Sequence, residues 1–174
     1  MAARKTFPPS PTASPTTGTY GFGDGEDIFY GYYLPYFGWQ KTANIVGEIT
    51  DSAAAGTALA TGYKTINGYI GKDQYLNDVK NMSELAMEFG KSVAVISTEG
   101  CDGATPAAYS SHADGRYNED EIYADHANFG GLLIDNYNNY SDFTASEFEE
   151  WDALFKSGLN AVKDDPDGFF IMYE

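Results

Sequence analysis

Thr50-Asp51-Ser52-Ala53-Ala54-Ala55-Gly56-Thr57-Ala58-Leu59-Ala60-Thr61-Gly62, running on through Tyr63-Lys64-Thr65-Ile66-Asn67-Gly68-Tyr69-Ile70-Gly71, is the most informative stretch of this chain. An acid and a serine precede a run of Ala, Gly and Thr that reads as a short helix. Gly62 closes it, because glycine takes the left-handed conformation of a C-terminal cap at little steric cost. The small side chains let a second backbone or a ligand come close. Ser52 then lies at the helix N-terminus, where unpaired N–H groups and the helix dipole favour an anion. The residue types alone leave a second reading open, in which Ser52 merely caps the helix.

Around this stretch the pattern is that of an α/β protein. Residues 41–49 alternate weakly and read as a short strand leading to Thr50. Asn67-Gly68 marks a turn. Asn81 with Glu84 three residues on has the spacing of a capping box, and Gly90 ends that helix. Ser92-Val93-Ala94-Val95-Ile96-Ser97 is a continuous apolar, β-branched run, as expected of a strand covered on both faces in a parallel sheet. Thr105-Pro106 reads as a cap with proline at the first helical position, opening a short helix over Ala107–His112. An acidic helix is expected over 117–127, followed by a polar stretch to Asp142. Thr144 and Glu147 cap a helix to about Lys163, with Phe148, Trp151, Leu154, Phe155, Leu159 and Val162 on one face. Phe169-Phe170-Ile171-Met172-Tyr173 reads as a second buried strand with Glu174 at its end. The fold class is α/β: a mostly parallel central sheet flanked by helices.

Composition narrows the function. The chain has 174 residues, enough for one core, and 43% are hydrophobic. No apolar run reaches membrane-spanning length. A net charge of −16 argues against general nucleic-acid binding, which needs cations to neutralise phosphates. Cys101 is the single cysteine, so no internal disulfide forms. Residues 1–19, with Pro8, Pro9, Pro11 and Pro15, read as a disordered tail, and Met1–Gly18 lacks the apolar segment of a signal peptide. Residues 20–174 then form the domain, and its opening aromatics from Tyr20 to Trp39 read as packing of an irregular loop onto the core.

Four words resemble the alkaline phosphatases in order and in near-family spacing as far as Arg116. They are Thr50-Asp51-Ser52-Ala53-Ala54 with Thr61-Gly62-Tyr63-Lys64-Thr65, then Gly103-Ala104-Thr105-Pro106-Ala107-Ala108, then Arg116, then Gly168-Phe169-Phe170-Ile171-Met172-Tyr173-Glu174. The resemblance implies hydrolysis of small phosphate monoesters through a phosphoserine at Ser52, with zinc activating the serine and then a water. It implies that Arg116 clamps the phosphate, that Asp51 orients Arg116, and that Thr105 and Glu174 bind magnesium. Gly23-Asp24-Gly25 has the letters of the family's metal-bridging aspartate word, so Asp24 is a candidate ligand. No apolar strand precedes it, however, and it lies nearer Ser52 than in the family. Gly103 stands where relatives often carry Asp or His. His112 and His126 match no zinc position and read as a helix residue and a surface residue. The family's zinc-binding aspartates and histidines fall beyond the position of Glu174. The expectation is an N-terminal portion or truncated form with little activity by itself, in a family whose members are commonly exported dimers. The alternative is a non-catalytic remnant that binds phosphate or divalent metal, or pairs with a missing half.

Overall fold

The computed structural model describes residues 41–135 and 145–174, the side chains of 145–150 excepted. The expected tail, the aromatic stretch from Tyr20 to Trp39, Asp24 and the Thr144 cap lie outside the described residues. The elements run α1 (Ser52–Thr61), α2 (Met82–Glu88), β1 (Ser92–Ser97), α3 (Ala104–Ala108), α4 (Glu119–His126), β2 (Leu132–Asp135), α5 (Ala145–Val162) and β3 (Phe169–Tyr173). The strands form a parallel sheet in the order β2-β1-β3, with Val95 opposite Leu133 on one side and Met172 on the other.

β1 is central, and its composition explains why. Ala94 and Ile96 face α5, where Leu154, Phe155 and Val162 pack with Ile134 and Ile171. Val95 points to the opposite layer, joining Ala53, Ala60, Ala107, Ala108, Ile122 and Met172. Successive strand side chains alternate between faces, so a strand covered on both sides needs apolar residues throughout. Close helix packing over Ile96 depends on Gly158 of α5. A Cβ there would stand 2.4 Å from Ile96 Cδ1.

Capping chemistry places the helix ends. Asn81 Oδ1 accepts from Glu84 N at 3.0 Å and Glu84 Oε2 accepts from Asn81 N at 2.8 Å, so both arms of the capping box form. Gly62, at φ 80°, closes α1 and donates its N–H to Ala58 O.

Four expectations are corrected. Residues 41–49 form a tight loop with a single bridge, Ala43 to Ile49, rather than a strand. Asn44 Oδ1 accepts from the N–H groups of Val46 and Glu48, and this local bonding competes with strand pairing. α3 begins at Ala104, with Gly103 at the cap, so Thr105 is its second residue and Pro106 its third. Proline fits there because first-turn N–H groups have no partner within the helix. β2 replaces part of the polar stretch, its four residues being too short to show a period. Among the described residues β3 pairs with β1 alone, only its Met172 is buried, and Phe169 and Tyr173 are exposed.

Candidate active site

The loop before α1 is wired by side chains. Asn67 Oδ1 accepts from Asp51 N at 3.1 Å and from Asn44 Nδ2 at 3.1 Å, and Asn67 Nδ2 donates to Ile49 O at 2.9 Å. The Asn-Gly pair thus holds the segment that enters α1. Gly68, at φ 92°, makes the turn that lets its own N–H donate to Asp51 Oδ2 at 3.0 Å.

Asp51, and not Ser52, caps α1. Its Oδ1 accepts from Ala54 N at 2.9 Å. Ser52 is thereby the first helical residue, its side chain exposed and without a capping duty. The N–H of Ala54 is taken by the cap and that of Ala55 by Asp51 O, so at the positive end of the helix the N–H groups of Ser52 and Ala53 meet no acceptor among the described residues.

Arg116 reaches this end from 65 residues away. Its Nη1 lies 3.4 Å from Asp51 Oδ2, with both side chains about a quarter exposed. The remaining guanidinium N–H groups meet no acceptor among the described residues. Ala113 holds the approach by an antiparallel bridge to Ile70. Beside Arg116 lies an open cleft of about 550 Å³, walled by Glu99, Asp102 and Glu119 as well as Tyr117. A more enclosed cavity of about 270 Å³, lined by Lys41, Thr50, Ala54, Ala58 and Lys64, includes neither Ser52 nor Arg116.

Thr105 is half-buried on α3, which packs tightly on α1 at Gly56. A Cβ on Gly56 would stand 3.2 Å from Thr105 Cα and 3.3 Å from Ala108 Cβ. Glu174 continues the β3 ladder: its N–H donates to Ile96 O at 3.0 Å and its carbonyl accepts from Thr98 N at 2.9 Å. Glu174 therefore lies at the C-terminal end of the strands, the side on which open α/β sheets bind ligands. Among the described residues no hydrogen bond or ion pair joins Thr105 or Glu174 to Ser52, Asp51 or Arg116. Nor does any group of three His, Cys, Asp or Glu suited to a metal ion form there.

The two histidines differ from expectation. His112 is not helical; it lies between helices. Its N–H donates to Asp125 Oδ2 at 2.7 Å, and its Nε2 stands 3.3 Å from Val79 O and 3.6 Å from Glu84 Oε2. His126 is half-buried, with Nε2 2.9 Å from Ser110 Oγ. Burial pulls its pKa below the ordinary 6.5, against the opposing pull of Asp102, Asp125 and Asp135. Cys101 is buried with its thiol pushed up to about 12, by desolvation first and by Asp135 second. It is no nucleophile at neutral pH.

The fold is a short parallel α/β sheet with a serine at a helix N-terminus and an arginine in contact with the aspartate that caps that helix. The comparisons make it specific: the alkaline phosphatase family profile matches residues 26–139, and the chain belongs to that family. Alkaline phosphatase 4 of Bacillus subtilis is 53% identical over 75 residues, which are 43% of this chain and 16% of that protein. Alkaline phosphatase of Escherichia coli is 38% identical over 101 residues, 57% of this chain and 21% of that protein. In fold the chain resembles the alkaline phosphatase of the Antarctic bacterium TAB5, with a TM-score of 0.64 and 24% identity over 77% of this chain and 53% of that one. A magnesium-bound mutant of the same enzyme superposes with a TM-score of 0.66 at 22% identity. The chain thus spans roughly a fifth of the curated relatives and about half of the solved chains.

Asn67 and the Gly68 N–H are the site groups that the sequence reading passed over. Asn-Gly signalled a turn, and nothing in the order of residues indicated that the turn folds back onto Asp51.

Proposed function

We propose that this chain supplies the nucleophile and the phosphate clamp of a phosphate monoester hydrolase. The observation that carries the reading is the Asp51–Arg116 contact, which places a guanidinium beside the N-terminus of the helix that begins with Ser52. A phosphate dianion there meets the open N–H groups of Ser52 and Ala53 and the planar donors of Arg116, a geometry suited to two oxygens at once. Ser52 Oγ is then placed to attack phosphorus: a new O–P bond forms, the ester O–P bond breaks, and the alcohol leaves. Water attack on the phosphoserine releases phosphate and restores the serine.

A serine hydroxyl is weak at its ordinary pKa, and the family resemblance assigns its activation to zinc. The described residues do not by themselves form a zinc site. Thr105 and Glu174 are hard oxygen donors of the kind magnesium takes, but no step is derived through either metal. The reading therefore expects phosphate binding from this chain and little turnover by it alone.

Calorimetric titration with inorganic phosphate tests the clamp: binding is expected, with Arg116→Ala weakening it at least tenfold. Brief incubation with a radiolabelled aryl phosphate and added zinc tests the nucleophile: label is expected at a low level on Ser52 and absent in Ser52→Ala. Phosphate binding without any label at Ser52 would favour the non-catalytic reading. Equal binding by wild type and Arg116→Ala would remove the clamp from both.

A further inference from the structure

The residue after Arg116 has no role in the reading above, yet the backbone puts it against the guanidinium. Asn118 N donates to Gly115 O at 2.9 Å, closing a tight turn whose two central residues are Arg116 and Tyr117. The turn is anchored on both sides. Upstream, Ala113 bridges Ile70; downstream, α4 begins at Glu119, and Glu121 Oε2 accepts from Asp114 N at 2.8 Å. Within it Arg116 Cζ lies over the Tyr117 ring, 5.3 Å from the centroid. Tyr117 is 85% exposed, so burial does not explain its position, and its hydroxyl has no partner among the described residues.

A guanidinium on a long chain has many rotamers, and each one fixed before binding is one not lost on binding. Asp51 holds one corner of Arg116 through a single contact, which leaves rotation about that contact free. A ring face against the guanidinium plane removes that freedom by cation–π attraction while leaving the N–H edge open.

We propose that Tyr117 is the positioning residue for Arg116, stacking the guanidinium so that its free N–H edge is presented to a tetrahedral phosphate beside Ser52. The proposal rests on the phosphate-clamp reading, and two measurements on the chain separate the two. In heteronuclear spectra the Arg116 side-chain Nε–H resonance is expected to carry an upfield ring-current shift, lost in Tyr117→Leu and kept in Tyr117→Phe. Titration with inorganic phosphate is expected to show about two- to fivefold weaker binding for Tyr117→Leu, the range expected of an exposed cation–π pair. Tyr117→Phe restores wild-type affinity because the ring, not the hydroxyl, acts. The melting temperature of Tyr117→Leu stays at the wild-type value, since an exposed side chain is removed, and Tyr75→Leu serves as a control for loss of a surface tyrosine. Wild-type affinity in Tyr117→Leu overturns the positioning role and leaves the clamp standing. A ring-current shift without any phosphate binding in the wild type overturns both.

Discussion

Asp51→Asn preserves size and shape, and the geometry requires it to be damaging. The carboxylate accepts on both oxygens from different directions: Oδ1 from Ala54 N at 2.9 Å, Oδ2 from Gly68 N at 3.0 Å and from Arg116 Nη1 at 3.4 Å. Asparagine has one oxygen and one NH2 group. With its oxygen toward Ala54, the NH2 confronts the Gly68 N–H and the Arg116 cation, donor against donor. Flipped, it meets Gly68 and abandons the cap. The first arrangement costs about 1–2 kcal/mol for a part-buried N–H left without an acceptor. Loss of an ion pair whose partners are about a quarter exposed adds roughly 0–1 kcal/mol after screening. The flipped form costs a similar amount through the cap, about 0.5–2 kcal/mol. A total near 2 kcal/mol corresponds to a fall of about 4–8 °C in melting temperature for a chain of this length. Thermal unfolding followed by circular dichroism reads this directly. Asp51→Ala is expected to melt lower still, because it satisfies neither end while asparagine keeps one. Melting of the asparagine variant within about 1 °C of wild type would refute the two-ended role of the carboxylate.

Three further outcomes are expected. Gly71→Ala should destabilise severely, by more than about 3 kcal/mol in denaturant titration, since a Cβ there stands 2.5 Å from Ser111 O and the residue sits at φ 60°. His126 has a depressed folded pKa, so its contribution is present above the unfolded value of 6.5 and lost as pH falls through the lower folded value. The melting curve of His126→Gln should accordingly vary less with pH below 6.5 than that of wild type; an unchanged pH slope would count against burial as the cause. Cys101 should resist a thiol reagent at pH 8 in the folded chain and react fully in denaturant, because it is 3% exposed with a thiol pushed up to about 12.

Much of the architecture was legible because its signals are local. The apolar run of β1, the capping box at Asn81 and Glu84, and Gly62 at the end of α1 each carry their own physical cause within a few residues. The misplaced elements had competing local causes. Asn44 bonds the backbone around it and turns an expected strand into a loop. Gly103 rather than Thr105 caps α3, because a first turn tolerates proline at several positions. β3 read as buried from its residues, but burial is a property of sheet order, and among the described residues β3 pairs with β1 alone.

The sequence by itself determined that this is an α/β chain of the alkaline phosphatase family with Ser52 at a helix start. Only the tertiary structure decided which group caps that helix, where Arg116 ends and what holds it. Hydrophobic period and capping preference act over one or two turns of chain. The meeting of Asp51, Gly68 and Arg116 depends on chain closures of 17 and 65 residues, which no local preference encodes.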